Sequence, residues 1–132
     1  MDDFIIKGPY KPTFTPEVVL SISTKKGYIR GESYQEEPLS FYKSLIEWFD
    51  QYFEDHQVFE LDIELSYINS SCSRIIVDLL KSLKEHQEKG GEIVVNWYYD
   101  AEDDEMEMME DGEDLIAASG FDMKLVAMHI EE

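Results

Sequence analysis

Val58-Phe59-Glu60-Leu61-Asp62-Ile63-Glu64-Leu65 runs directly into Ser66-Tyr67-Ile68-Asn69-Ser70-Ser71-Cys72-Ser73, and then into Ile75, Ile76, Leu79, Leu80 and Leu83. The first part alternates apolar and acidic residues, which is the period of a strand with one covered face. The last part repeats every three or four residues, the period of an amphipathic helix, and Gly90-Gly91 supplies its stop signal. A strand that turns into a helix through a polar junction is the opening half of a parallel crossover. The junction itself is rich in hydroxyls.

The chain repeats this alternation downstream. Ile93, Val94, Val95, Trp97 and Tyr98 form a dense β-prone run from Glu92 to Tyr99. An acidic stretch from Asp100 to Asp114 follows, then a short helix to about Ser119, ended by Gly120, and a last strand within Phe121 to His129. Upstream, Phe41, Leu45, Trp48, Phe49, Tyr52 and Phe53 recur at helical spacing after Pro38, predicting a helix from Leu39 to Glu54 with Ser40 as its N-cap. Val18, Leu20 and Ile22 face Tyr28, Ile29 and Arg30 across Lys25-Lys26-Gly27, which reads as a hairpin around a glycine-containing turn. Pro9, Pro12 and Pro16 keep the beginning extended, with room for a short edge strand at Phe4 to Ile6. The predicted fold is therefore α/β: a mixed sheet of about five strands with an N-terminal hairpin, right-handed crossovers and helices mainly on one face.

Length and charge narrow the function. At 132 residues and 43% hydrophobic, the sequence fits one domain over residues 1–132. Its formal net charge of −19 repels phosphate backbones and anionic lipid surfaces, so neither nucleic-acid binding nor direct membrane binding is expected. A protein partner should offer a basic or amphipathic face. Met1-Asp2-Asp3-Phe4 lacks the basic and apolar segments of a secretory signal, and the lone Cys72 cannot form an internal disulfide, which points to the cytoplasm. No apolar run approaches the roughly 20 residues that span a bilayer. His56, His86 and His129 share no metal-ligand spacing, and no Gly-rich phosphate loop is present, so no metal or cofactor is expected.

Two segments have chemical potential. At the Ser66–Ser73 junction, a hydroxyl can cap free helix amides, and Ser70 is a natural candidate for that structural role. The same position suits a phosphate, which would sit at the positive end of a helix dipole with Arg74 four residues along; Ser71 and Ser73 compete as acceptors. A nucleophilic Ser70 in a small hydrolase would instead need a base such as His56 or His129 brought close in space. The acidic stretch has ten carboxylates among the 15 residues Asp100–Asp114, without the spacing of a calcium loop, and reads either as solvated surface or as a docking aid. The stripe Phe41, Trp48, Phe49 and Phe53 reads as core, while Tyr42, Tyr52 and Tyr98 fit core or interface alike.

Leu65–Ser73, Asn96-Trp97-Tyr98-Tyr99-Asp100, the acidic Asp103-Asp104-Glu105-Met106 and Gly112-Glu113-Asp114 together resemble the SiaC-type regulatory phosphoproteins of bacteria. So do Gly27–Ser33 and the aromatic helix with Phe41-Tyr42 and Trp48. The resemblance implies a fold similar to anti-sigma-factor antagonists (STAS-like) and a non-enzymatic adaptor phosphorylated on the residue after Asn69, which is Ser70. It further implies a serine/threonine protein kinase, a PPM-type phosphatase and, in the characterised pathway, a diguanylate cyclase activated by the unphosphorylated form, with biofilm and cyclic-di-GMP signalling as the setting. Asn69, Ser71, Arg74, Asp100, Asp103, Asp104 and Glu105 are the expected recognition residues around the acceptor.

Overall fold

A computed structural model describes residues 1–7, 16–33, 38–102 and 106–128. The elements run β1 (Phe4–Ile6), β2 (Glu17–Ser21), β3 (Lys26–Ser33), α1 (Leu39–Asp55), β4 (Val58–Ile68), α2 (Ser70–Glu88), β5 (Glu92–Asp100), α3 (Glu107–Ser119) and β6 (Lys124–Met128). The sheet has six strands in the order β1-β2-β3-β4-β5-β6, one more than the five or so expected, because the short β1 pairs fully with β2. β1, β2 and β3 are antiparallel neighbours; β3 to β6 are parallel.

Strand order equals chain order, so each crossover steps the same way across the sheet. Crossovers of one hand then place every connecting helix on the same face. Burial agrees: Phe59, Leu61, Ile63 and Leu65 of β4 are buried with Ile93, Val95 and Trp97 of β5, while Glu60, Asp62 and Glu64 point to the other side and stay half-exposed. Phe59 makes edge contacts with Trp48, Phe49 and Tyr52 of α1, and Ile76, Leu79, Leu80 and Leu83 of α2 enter the same core. His86 of α2 lies 2.7 Å from Asp50 of α1 and stacks on Phe53, tying the two helices together.

Three local readings are corrected. The hairpin turn spans residues 22–25, and Lys25 rather than a glycine takes the left-handed conformation there (φ 60°). Gly27 already belongs to β3, where a Cβ would stand 2.5 Å from the Val19 carbonyl; glycine is needed for close approach and not for the turn. Helix α1 begins at Leu39 with Pro38 in the cap position and no side-chain cap among the described residues, so Ser40 lies inside the first turn. Proline's fixed φ suits a helix start, and its carbonyl accepts from the Tyr42 amide at 3.1 Å. Pro9, Pro12 and His129 lie outside the described residues.

Candidate functional site

Because β3, β4 and β5 are parallel, their carboxyl ends share one edge, and α1, α2 and α3 all start there. The Ser70 junction lies at the centre of that edge. Asn69 has extended backbone (φ −96°, ψ 173°), and its side-chain oxygen accepts from the Cys72 amide at 2.8 Å, which makes Asn69 the N-cap of α2. Its own amide donates to the Ser33 carbonyl at 3.1 Å, and its carbonyl accepts from the Ser73 amide at 2.9 Å.

Ser70 is therefore the first helical residue and not the cap. It is exposed, and its hydroxyl makes no hydrogen bond among the described residues. This corrects the reading of Ser70 as merely a helix cap, since Asn69 already holds that position. The amides of Ser70 and Ser71 also find no acceptor among the described residues, leaving two free donors at the positive end of a 19-residue helix. Ser71 and Arg74 are exposed, and the Arg74 guanidinium has no ion pair among the described residues. No acidic residue occupies the first turn of α2. An anion attached at Ser70 would meet free N–H groups and a nearby cation.

Beneath the junction is a buried polar contact that sequence reasoning missed. Ser33, at the end of β3, shares a 2.6 Å hydrogen bond with the Tyr42 hydroxyl, and both side chains are fully buried. Burial is the main cause that pushes the Tyr42 hydroxyl above its ordinary pKa. Ser33 thus grips α1 through its side chain and the cap residue of α2 through its carbonyl. Cys72 is buried in the same core, as expected of an inert thiol. Tyr42 and Tyr52 belong to the core rather than to an interface, with the Tyr52 hydroxyl donating to the Val58 carbonyl at 2.6 Å; Tyr98 stays half-buried on the face without helices.

Asp100 ends β5 on the same edge, and its carboxylate accepts from the Glu102 amide at 2.9 Å. It lines a cavity of about 420 Å³ together with Ser66, the first residue of the junction, while Ser70 is not among the lining residues. Asp103, Asp104 and Glu105 lie outside the described residues. Helix α3 starts inside the acidic stretch, with Glu107 and Glu110 in its first turn and Met106 in a left-handed conformation before it. It is seated on Trp97, whose indole N–H donates to the Met108 carbonyl at 2.7 Å. Gly112 makes this approach possible: a Cβ there would lie 2.7 Å from the indole ring. A glycine in the interior of a helix was the available signal, but its partner is distant in sequence.

Among the described residues no histidine stands near Ser70; His129 lies outside them. His56 follows the last residue of the 17-residue α1, about 25 Å along its axis from the edge where the helix starts, and stacks on Tyr52. His86 lies near the far end of α2. The nucleophilic reading of Ser70 therefore lacks its second member among the described residues.

A model of the SiaC family regulatory phosphoproteins matches residues 10–128. The chain belongs to this family. Among solved structures, it is similar to SiaC of Pseudomonas aeruginosa, with a TM-score of 0.82 and 25% identity over 97% of this chain and 100% of that one. A crystal structure of the diguanylate cyclase SiaD in complex with its activator SiaC, from the same organism, matches with a TM-score of 0.82 and 24% identity over 96% of this chain and 100% of the matched chain. An uncharacterized protein of Pseudomonas aeruginosa (strain UCBPP-PA14) is 29% identical over 101 residues, covering 76% of this chain and 78% of that protein. For this SiaC-family member the comparisons bear out the mixed α/β fold and its role as a regulatory phosphoprotein. No helix among the described residues is long and apolar enough to cross a membrane.

Proposed function

We propose that this SiaC-family protein is a cytoplasmic, single-domain adaptor without catalytic activity, switched by phosphorylation of Ser70. A serine/threonine kinase adds the phosphate, a PPM-type phosphatase removes it, and the unphosphorylated form binds and activates an output protein, a diguanylate cyclase. The observation that carries this reading is the division of labour at the α2 start: Asn69 caps the helix, which leaves the exposed Ser70 hydroxyl and two amides without hydrogen bonds among the described residues. Phosphorylation there adds about −1.5 to −2 charges at a point that carries no acid of its own. Asn69, Ser71 and Arg74 form the immediate recognition surface, Asp100 ends β5 on the same edge, and the acidic Asp103, Asp104 and Glu105 add to the recognition by charge.

The activator role of SiaC toward SiaD supports the choice of a cyclase as output. The test is a pair of chromosomal variants in the native bacterium, Ser70→Ala and Ser70→Glu, with cyclic-di-GMP and biofilm mass as readouts. The unphosphorylatable variant should hold cyclic-di-GMP high under all growth conditions, and the acidic one should hold it low. Indistinguishable levels in the two strains, with both proteins folded and abundant, would contradict the switch.

A further inference from the structure

The sheet is not continuous to its carboxyl edge. Strands β4 and β5 are paired from Val58 and Glu92 as far as Ile63 and Trp97, and there the pairing ends. Beyond that point β4 continues to Ile68 along β3, and β5 continues to Asp100 along β6. The register of β3 and β4 also shifts between Gly31 and Glu32, which leaves Ser66 as an extra residue on β4. The two halves of the sheet part, and the cavity of about 420 Å³ occupies the notch between them.

Each wall has a distinct chemistry. Leu65 and Ser66 form the β4 side, Asp100 and Met128 the opposite side, and the buried Met108 of α3 closes the floor. Arg30 and Glu64 stand at the rim as an ion pair of 3.0 Å, and the Arg30 guanidinium lies 4.2 Å over the Tyr28 ring. The rim cation is thus already neutralised and stacked. Asp100 accepts only a backbone amide and has no ion pair among the described residues. The notch therefore combines an apolar shaft, two unbranched methionines that adapt to a guest, and a carboxylate without an ion pair among the described residues.

We infer that this notch seats one basic side chain, a lysine or an arginine, carried on an amphipathic segment of a protein partner. The aliphatic stem of such a residue suits the Leu65, Met108 and Met128 surface while its charged head reaches Asp100. A volume of about 420 Å³ has room for a long side chain. The chain's net charge of −19 draws basic segments toward it from every direction, and the notch gives that attraction a fixed address. The inference rests on the reading of the chain as a docking adaptor, to which it adds the chemistry of the docked residue.

The test uses the full chain labelled with ¹³C at its methionine methyls and ¹⁵N at its amides, titrated with Nα-acetyl-argininamide and, separately, with Nα-acetyl-leucinamide and Nα-acetylglutamate. The arginine compound should move the Met108 and Met128 methyls and the Ser66 and Asp100 amides along one saturating curve. Asp100→Asn should weaken that curve by about tenfold, as expected for loss of a charged partner, and Met128→Ala should weaken it without changing any charge. Small shifts spread over the whole acidic surface without saturation would overturn the inference. So would equal binding of the glutamate compound, or an Asp100→Asn curve that matches the parent. Neither kinase nor phosphate enters this titration, so its failure leaves the Ser70 reading standing, and an unphosphorylated Ser70 leaves the notch untouched.

Discussion

Helices α2 and α3 start on the same edge of the same sheet and solve the same problem in opposite ways. Glu107 and Glu110 stand in the first turn of α3, so its dipole is complemented by its own carboxylates, and no side-chain cap is seen among the described residues. The start of α2 has an asparagine cap and no acidic residue in its first turn, although the chain carries 30 Asp and Glu residues. In a protein this acidic, a helix start left without carboxylates is a place where added negative charge is newly favourable. The α3 start has no such vacancy, because a further charge there would meet Asp111 and its neighbours. The contrast supports the proposal that a phosphate is taken up at Ser70 and not beside the acidic stretch.

The contrast can be broken from either side. The largest effect is expected at the α3 seat: Gly112→Val drives a branched side chain into the Trp97 indole and should cost about 1–3 kcal/mol in urea unfolding. At the α2 start, Asn69→Ala should cost about 0.5–2 kcal/mol, whereas Ser70→Ala should stay within about 0.5 kcal/mol of the parent. Equal losses at the two positions would return the capping role to Ser70. Phosphorylated Ser70, or Ser70→Glu, should raise stability by about 0.3–1 kcal/mol at low ionic strength, a gain that fades in high salt. The same acidic substitution at Met109, on the α3 side, should give no such gain.

The smallest effect concerns Asp111. Burial, then Asp114 and Glu110, raise its carboxyl above the ordinary value of 3.8. A carboxyl whose folded pKa is raised opposes folding once it ionises, and this penalty disappears as pH falls through the folded value. Asp111→Asn should therefore raise Tm slightly at pH 7, and the gap to the parent should narrow as pH falls through the raised folded value and be closed below the ordinary value of 3.8.

Most of the fold was legible because it is written in short-range periodicity. The alternation from Phe59 to Leu65 and the helical stripes around Leu45 and Leu79 each report one covered face, and their order along the chain implies parallel strands. What escaped depends on contacts between distant residues. Gly27 looked like a turn residue because its real constraint is the Val19 carbonyl across the hairpin, and Lys25 took the left-handed position instead. The parting of β4 from β5 after Ile63 leaves no trace in either strand's own pattern, since both continue with other neighbours.

The site was legible in part. The position of the helix start followed from periodicity, and the choice of Ser70 followed from the family resemblance. Asparagine ranks among the best N-cap residues, so the capping role of Asn69 was available in the sequence, but the serines around it offered equally good hydroxyls. The support from Ser33 and Tyr42 could not be anticipated, because nothing in either residue's neighbourhood marks a buried pair nine positions apart.

The central claim is that Ser70 is the phosphate acceptor, and site-resolved mass spectrometry tests it most directly. The chain would be recovered from its native cells with phosphatases inhibited, across growth conditions that alter biofilm formation. The account predicts phosphate confined to Ser70, with an occupancy that changes between conditions. Phosphate on Ser71 or Ser73 instead, or an abundant protein with Ser70 unmodified throughout, would contradict it.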